Sequence, residues 1–408
     1  MNDFKKFSIY YFFILTLLIL IIIIFNWVVN PYNIYSSIAM KKLSRKPMVT
    51  SHLRLAKARA VEWKKPQTVI MGSSTAETGL DPEHPDWINK PVYNLGLSGA
   101  NIYEVMRYLQ HAQSIKPLKT VVLTVNFFMF NAYSKNRVDF SEEILNIDFN
   151  GNLNPKSTTA YFSTLLTYDA INASLFTIKN QDKKNAFKNN GQLVHNYRND
   201  LVNQLKGYRN NFISAERYNR SSFLPPPANK YAFYDLKNNI DTMNYMKKII
   251  EICETNNTEL VIIIAPEHVR LLETYKLLGL WEQYEQWQSK LVSLVNYHNM
   301  NHPNLQYALW SFNNINQFTT EPLPVKDDHV TKMQWFWDPL HFKNEFGNLI
   351  LSSILNPQFK SNIINFRSDL TKANLSSEFE KIRSDLNRWE SLNSDQTQEI
   401  KQILSSSN

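Results

Sequence analysis

The sequence predicts an α/β fold built on a doubly wound, mainly parallel sheet of five strands. Five short runs are apolar on both faces and rich in β-branched residues, which is typical of covered parallel strands: residues 68–72, 92–95, 120–126, 259–265 and 305–310. Helical patterns occupy residues 56–64, 103–114, 243–255 and 271–297. This alternation of strand and helix favours right-handed crossovers between parallel strands.

An uncharged stretch at residues 9–29 predicts a membrane anchor ahead of the sheet. As a helix, this stretch spans about 31 Å, close to the thickness of a bilayer core. A cleaved signal peptide is the competing interpretation, but it requires small residues at the cleavage site, whereas Asn26-Trp27-Val28-Val29-Asn30 stands here. Basic residues flank the stretch on both sides, so their count does not decide the orientation.

The domain organisation follows from where the alternation begins, stops and resumes. Between about residues 132 and 241 the chain is rich in Asn, Lys and Tyr, and we expect short helices there that form a cap over the substrate side. The predicted segments are a transmembrane anchor at 1–32, a juxtamembrane linker and helix at 33–65, an α/β domain at 66–365 with the insertion at about 132–241, and a C-terminal amphipathic helix or tail at 366–408.

Composition argues against several classes of function. The net charge is +8, but the basic residues are scattered and form no basic helix, so no nucleic-acid partner is expected. Cys253 is the single cysteine and has no cysteine within the chain to pair with. No Cys/His spacing typical of zinc is present, and neither a metal nor a cofactor is expected.

Four groups of polar or glycine residues stand at predicted strand ends or in the last loop. Gly72-Ser73-Ser74 follows the first strand, Gly99 lies in the loop after the second, and Asn126 ends the third. Because open α/β sheets bind ligands at the carboxyl ends of their strands, these residues are expected to meet there. Each group taken alone is more often a turn or a helix cap.

The fourth group is Asp338-Pro339-Leu340-His341, which precedes a predicted final helix. Asp and His three residues apart can lie on one side of a turn, where the carboxylate binds one imidazole nitrogen and leaves the other for a serine hydroxyl. Such a pair alone is more often a surface turn. The coincidence of all four groups indicates a serine nucleophile with its base.

These four blocks resemble those of the SGNH (GDSL-like) hydrolase and acyltransferase superfamily, which implies a flavodoxin-like SGNH fold. The resemblance implies Ser74 as the nucleophile, His341 as the base and Asp338 as the residue that orients the base. It implies an oxyanion hole formed by the backbone N–H groups of Ser74 and Gly99 with the side-chain amide of Asn126.

The resemblance covers roughly residues 66–131 and 259–355. The usual Gly-Asp-Ser of the first block is Gly-Ser-Ser here, as in membrane-anchored relatives that resemble the D-alanylation protein of teichoic acid synthesis. The third block reads Thr124-Val125-Asn126-Phe127 and lacks the usual Gly and Asp. The anchor together with Gly79-Leu80-Asp81-Pro82 resembles envelope proteins that act beside membrane-bound O-acyltransferases in polysaccharide O-acetylation.

Candidate substrate contacts are Ser73, Thr75, His268 and Trp337. His268 follows the fourth strand at the same sheet edge, although a capped turn is the commoner role for such a residue. Trp337 directly precedes Asp338; indole faces stack on sugars, but a tryptophan beside a catalytic loop more often packs against it.

The resemblance implies a serine esterase or O-acyltransferase that acts on an acylated envelope polysaccharide or glycolipid. It implies a single-pass protein of the inner (cytoplasmic) membrane with most of the chain on the extracytoplasmic, periplasmic side, beside a membrane-bound O-acyltransferase partner. Two alternatives stay open: a catalytically weak binding or assembly subunit of a membrane acylation complex, and a lipase that acts on the bilayer itself.

Overall fold

The computed structural model describes residues 2–35 and 41–406 of the 408-residue chain. The chain divides into two compact units, which we call the anchor unit and the sheet unit. The anchor unit comprises Met1–Lys64 and Val138–Ala186, and the sheet unit comprises Lys65–Arg137 and Phe187–Asn408. The segment predicted as an insertion is therefore shared between the two units.

The α-helices follow one another throughout the described part of the chain. In chain order they are α1 (Asn2–Val29), α2 (Leu53–Lys64), α3 (Ser74–Gly79), α4 (Ile102–Ile115), α5 (Lys156–Ser163), α6 (Tyr168–Lys179), α7 (His195–Gln204), α8 (Tyr208–Phe223), α9 (Thr242–Thr255), α10 (Val269–Leu277), α11 (Trp281–Asn301), α12 (Asn344–Leu355), α13 (Leu375–Leu392) and α14 (Ser394–Ser405).

Short 3-10 helices and strands complete the described elements. The 3-10 helices are Lys41–Leu43, Val49–His52, Phe127–Phe130, Glu142–Ile144 and Thr164–Leu166. The strands are β1 (Thr68–Met71), β2 (Val92–Asn94), β3 (Thr120–Val125), β4 (Tyr234–Asp235), β5 (Ile240–Asp241), β6 (Glu259–Ile264), β7 (Ala308–Ser311) and β8 (Ser368–Asp369).

Within the described residues, six strands form the main sheet in the order β2-β1-β3-β6-β7-β8. The first four pairings along this order are parallel, and β8 pairs antiparallel with β7 through Trp310–Asp369 and Ser311–Ser368. The predicted α/β class and the mainly parallel sheet are confirmed. The predicted number of five strands is wrong, because the polar dipeptide of β8 adds a sixth strand at the edge.

Burial explains why the central strands are continuous apolar runs. Every residue of β1 and β3 is buried, and β6 is buried from Leu260 onward, so helices cover both faces of this part of the sheet. Under one side lies a cluster of buried aromatic and aliphatic side chains that includes Ile70, Val122, Ile263 and Phe346. This packing fixes the strand ends from which the candidate site is built.

The single helix predicted over residues 271–297 is two helices, and this prediction is therefore corrected. α10 ends at Leu277 and α11 begins at Trp281, with Gly279 between them at φ +70°. A left-handed residue after a helix favours glycine, since a Cβ is strained in that conformation.

In the anchor unit, α1 is long and apolar enough to cross a membrane over Asp3–Val29. Its last turns pack against α6 and the preceding 3-10 helix. The buried amide of Asn26 donates to the Leu165 carbonyl at 2.8 Å and accepts from the Ser174 hydroxyl at 2.8 Å. These bonds satisfy the one amide that this end of α1 buries.

Candidate active site

Gly72, Ser73 and Ser74 form the turn that joins β1 to α3. Gly72 has φ +139°, and a Cβ at this position would lie 2.4 Å from the Thr124 carbonyl oxygen of the neighbouring strand. Only glycine fits such a turn. Ser73 caps α3, so that Ser74 becomes the first residue of the helix, at the carboxyl end of the sheet.

Ser74, His341 and Asp338 form a continuous hydrogen-bonded chain. The Ser74 hydroxyl lies 2.7 Å from His341 Nε2. The opposite ring nitrogen, Nδ1, lies 2.8 Å from Asp338 Oδ1 and 2.7 Å from Oδ2. A carboxylate at Nδ1 fixes the imidazole tautomer that leaves Nε2 free to accept the serine proton. The arrangement can therefore move a proton from a serine hydroxyl to a histidine.

The loop that carries the base is held by its own backbone. The N–H groups of Leu340 and His341 each donate to Asp338 Oδ1 at 3.0 Å. The Trp337 N–H donates to the His341 carbonyl at 2.8 Å and closes the loop around Pro339. The Asp and His side chains are thus positioned by a four-residue turn, as their spacing of three predicts.

Electrostatics keep the pair in the ionisation states that a base requires. Burial alone would raise the pKa of Asp338, but His341, Arg198 and the Leu340 N–H lower the pKa to about 2. Burial lowers the pKa of His341, and the nearby Arg198 lowers it further, whereas Asp338 raises it. At neutral pH the site therefore holds a carboxylate beside a neutral imidazole.

Close helix packing brings Ser74 and His341 together. A Cβ at Gly347 of α12 would lie 1.8 Å from the Gly79 carbonyl oxygen at the end of α3. A Cβ at Gly79 would overlap the ring of Phe342. The Asn344 amide also donates to the Gly79 carbonyl at 3.0 Å. The helix that begins with Ser74 thus lies directly against the segment that follows His341.

The backbone N–H groups of Ser74 and Gly99 are placed as free donors. Ser74 is the first residue of its helix, where no intrahelical acceptor exists for its N–H. Within the described residues, no protein acceptor is bound to the N–H of either residue. Gly99 has φ +66°, and the Arg137 side chain lies 3.3 Å from the position that its Cβ would occupy.

Asn126 stands at the end of β3 and is fully buried. Its carbonyl oxygen accepts from the Thr75 hydroxyl at 2.7 Å and from the Ser73 hydroxyl at 3.3 Å. Its amide donates to Glu267 Oε1 at 3.1 Å. One of the two amide N–H groups is thus bound to a carboxyl, and the second is the donor that an oxyanion role would require.

Ser73 and Thr75 point toward Asn126, whereas Ser74 points toward His341. The Ser73 and Thr75 hydroxyls lie 3.2 Å apart, and both side chains are fully buried. The structure thus distinguishes the two serines of the turn by their hydrogen-bond partners. Substrate contact by Ser73 or Thr75 stays a prediction.

His268 and Trp337 are placed as packing residues around the loop. His268 is fully buried, its Nε2 lies 2.8 Å from the Glu321 carbonyl, and burial lowers its pKa to about 3. Trp337 is buried and stacks with Tyr208 at a centroid distance of 6.0 Å, and the Lys343 ammonium lies 4.4 Å from the Trp337 ring and 4.6 Å from the Tyr208 ring. Substrate contact by either residue stays a prediction.

Arg198 belongs to the site but was not found from the sequence. It lies on α7, inside the insertion, and is 9% exposed. Its Nη1 lies 3.7 Å from Asp338 Oδ2, and its Nη2 donates to the Thr78 hydroxyl on α3 at 3.4 Å. A single arginine in an aperiodic, Asn-rich segment carries no signal that singles it out.

No family model and no curated protein matches this chain.

Proposed function

We propose that this protein is a membrane-anchored serine esterase or O-acyltransferase of the SGNH type. The observation that carries the proposal is the bonded chain from Ser74 through His341 to Asp338, at 2.7 Å and 2.7–2.8 Å. Nucleophile, base and orienting carboxylate in this order are the parts of acyl transfer through a covalent intermediate.

The topology supports the same proposal. Counted along the chain within the main sheet, the parallel strands stand in the order 2-1-3-4-5, which is the flavodoxin-like doubly wound order. In such sheets, ligands bind where the strand order reverses, at the carboxyl ends of the strands flanking that point. Ser74 follows β1, at this reversal, and Asn126 follows β3.

The proposed reaction has two steps. In the first, Ser74 Oγ attacks an ester carbonyl while His341 Nε2 takes the hydroxyl proton, and the departing alkoxide receives that proton as the C–O bond breaks. In the second, His341 deprotonates water or a sugar hydroxyl, which attacks the acyl-enzyme; the bond between the acyl carbon and Ser74 Oγ breaks, and His341 returns the proton to Ser74 Oγ. Water makes the protein an esterase, and a sugar hydroxyl makes it an O-acyltransferase.

The N–H groups of Ser74 and Gly99 are the proposed stabilisers of the negative charge that develops on the carbonyl oxygen, with the Asn126 amide as a third donor. Donors fixed before the reaction stabilise this charge without reorganisation.

The proposed substrate is an acylated envelope polysaccharide or a glycolipid, and the proposed place of action is the outer face of the cytoplasmic membrane. The apolar helix α1 supports a membrane location. A membrane-bound O-acyltransferase is the proposed partner, because such an enzyme supplies acyl groups at a membrane.

The experiment is hydrolysis of 4-nitrophenyl acetate by the full-length protein in detergent. We expect a burst of 4-nitrophenol followed by slow turnover. Ser74→Ala is expected to abolish the burst and to lower the steady-state rate of hydrolysis at least about a thousandfold. Ser293→Ala removes an exposed hydroxyl on α11 and serves as the matched control with unchanged rate. If an added oligosaccharide accelerates turnover, the protein is a transferase.

A catalytically weak assembly subunit is the second candidate. It is favoured by the Asn126 amide, which donates to Glu267 and so offers one N–H fewer to an oxyanion. A folded protein that shows neither burst nor turnover above buffer, yet is purified together with a membrane-bound acyltransferase, would support this candidate and contradict the first.

A further inference from the structure

Helices α9 and α11 end beside one another, at the amino-terminal ends of β6 and β7. Glu254 lies in the last turn of α9, His298 lies in the last turn of α11, and His302 directly follows α11. One ligand atom from each of these side chains lies within 4.8 Å of the others. The cluster is at the sheet edge opposite the one that carries Ser74, so the proposed ester chemistry does not use it.

His298 is the informative member of the cluster. It is 2% exposed, and its Nε2 lies 2.8 Å from the Leu305 carbonyl oxygen. Because a carbonyl oxygen only accepts hydrogen bonds, Nε2 must carry a proton. In the neutral ring Nδ1 then presents a lone pair, and within the described residues Nδ1 has no hydrogen-bond partner.

The nearest charged atom to this lone pair is itself an acceptor. Glu254 Oε2 lies 3.4 Å from His298 Nδ1. A buried lone pair that faces a carboxylate oxygen is unfavourable unless a cation or a proton lies between them. A backbone carbonyl on the far nitrogen is also the contact that typically orients a metal-binding histidine.

His302 is the second histidine of the cluster. His302 stands four residues after His298, a spacing that places two side chains on the same side of a helix. His302 Nε2 lies 3.2 Å from Glu254 Oε1. Tyr307 stacks on the His298 ring at a centroid distance of 3.9 Å and an interplanar angle of 4°, which holds the imidazole in this orientation.

We propose that Glu254, His298 and His302 bind a divalent cation of the zinc class that links the ends of α9 and α11. Two imidazole nitrogens with one carboxylate suit zinc and its neighbours in the first transition series. Glu254 Oε2 lies 3.4 Å from His298 Nδ1 and Oε1 lies 3.2 Å from His302 Nε2, so each carboxylate oxygen faces one imidazole nitrogen at about the separation of two ligand atoms on one ion with bonds of about 2.0–2.1 Å. His302 and Glu254 are partly exposed, so solvent reaches the cluster.

The test uses full-length protein purified without a polyhistidine tag and stripped with a chelator. Co²⁺ titration is expected to give the visible absorption of tetrahedral cobalt at one equivalent, and Zn²⁺ to displace it and raise the melting temperature. His302→Gln and Glu254→Gln weaken Co²⁺ binding at least about tenfold. Both positions are partly exposed, so these variants are expected to fold.

His329→Gln removes an exposed histidine elsewhere in the sheet unit and is the matched control, with binding as in the wild type. Cobalt binding that is equal in wild type, His302→Gln and Glu254→Gln would overturn the proposal. It is also overturned if the melting temperature varies with pH in the histidine range but not with Zn²⁺, since the cluster would then be an imidazolium held by a carboxylate.

Discussion

Arg198 places a positive charge against the acid–base pair of the candidate site. Its guanidinium lies 3.7 Å from Asp338, and its charge lowers the pKa of both Asp338 and His341. The same guanidinium donates to the Thr78 hydroxyl on α3, the helix that begins with Ser74. We therefore regard Arg198 as a positioning residue that also tunes the base.

Arg198→Gln is expected to move the acid limb of the pH–rate profile to higher pH. Removal of the positive charge raises the pKa of His341, and the imidazole must be neutral to accept the Ser74 proton, so activity then requires a higher pH. The measurement is kcat/KM for 4-nitrophenyl acetate against pH.

The matched control is Arg217→Gln, which removes an exposed arginine on α8 and leaves the profile in place. An Arg198→Gln protein that loses activity equally at all pH values, with an unmoved acid limb, would contradict the tuning role and leave only a structural one.

Site residues at the ends of strands can be predicted from the sequence, whereas a site residue contributed by the insertion cannot. Ser74, Asp338 and His341 can be predicted because Ser74 follows a strand, Asp338 and His341 precede a helix, and they occur in a recognisable order along the chain. The role of Arg198 cannot be predicted from the sequence, because its contact with Asp338 joins positions 140 residues apart in the chain. Only tertiary structure supplies that pairing.

The packing of α3 against α12 sets the distance between Ser74 and His341. The Gly79 carbonyl oxygen lies against the Cα of Gly347. A methyl group at Gly347 would therefore overlap this oxygen. Since Ser74 begins α3 and His341 precedes α12 by three residues, any separation of these helices lengthens the Ser74–His341 hydrogen bond.

Gly347→Ala is therefore expected to lower kcat by at least about tenfold and to destabilise the sheet unit by roughly 1–3 kcal/mol. The added methyl group meets the Gly79 carbonyl and pushes α12 away from α3. Ester hydrolysis and the melting temperature are measured on the same preparation.

Gly279→Ala is the matched control, because no atom lies within 4 Å of its Cβ position. This control has φ +70°, so it costs backbone strain of about 1 kcal/mol but leaves α3 and α12 in place. If Gly347→Ala retained full kcat, the glycine contact would not set the geometry of the site.

Elements with a strong pattern are predictable, and elements with short or polar sequences are not. The apolar runs of β1, β3 and β6 coincide with the predicted strands, because burial on both faces demands such runs. β8 is a polar dipeptide whose pairing with β7 leaves no periodic trace. The break between α10 and α11 depends on the conformation of Gly279, which the apolar pattern alone does not reveal.

Helix α1 is long and apolar enough to span a bilayer. A chain that spans a bilayer once has its two ends on opposite sides, so the side that holds the sheet unit must be determined. The proposed orientation places everything after α1 outside the cytoplasm. Cys253 is fully buried, so the native chain offers no accessible thiol. A maleimide therefore labels only a cysteine that is introduced at an exposed position.

Asn150→Cys is expected to react with a membrane-impermeant maleimide in intact spheroplasts, whereas Lys5→Cys reacts only after lysis. Both positions are exposed; Lys5 precedes the uncharged stretch of residues 9–29, and Asn150 follows it. Labelling is read by gel shift. The reverse pattern would place the sheet unit in the cytoplasm and contradict the proposed envelope substrate.

If Ser74 is an activated nucleophile, a fluorophosphonate probe reacts with its hydroxyl and leaves a covalent adduct on the protein. The full-length wild type is labelled, and peptide mapping is expected to find the adduct on Ser74. Ser73→Ala, which loses a helix cap worth about 1 kcal/mol, is expected to remain labelled because Ser74 and His341 are intact. Folded wild-type protein without an adduct, or with the adduct on Ser73, would contradict the account.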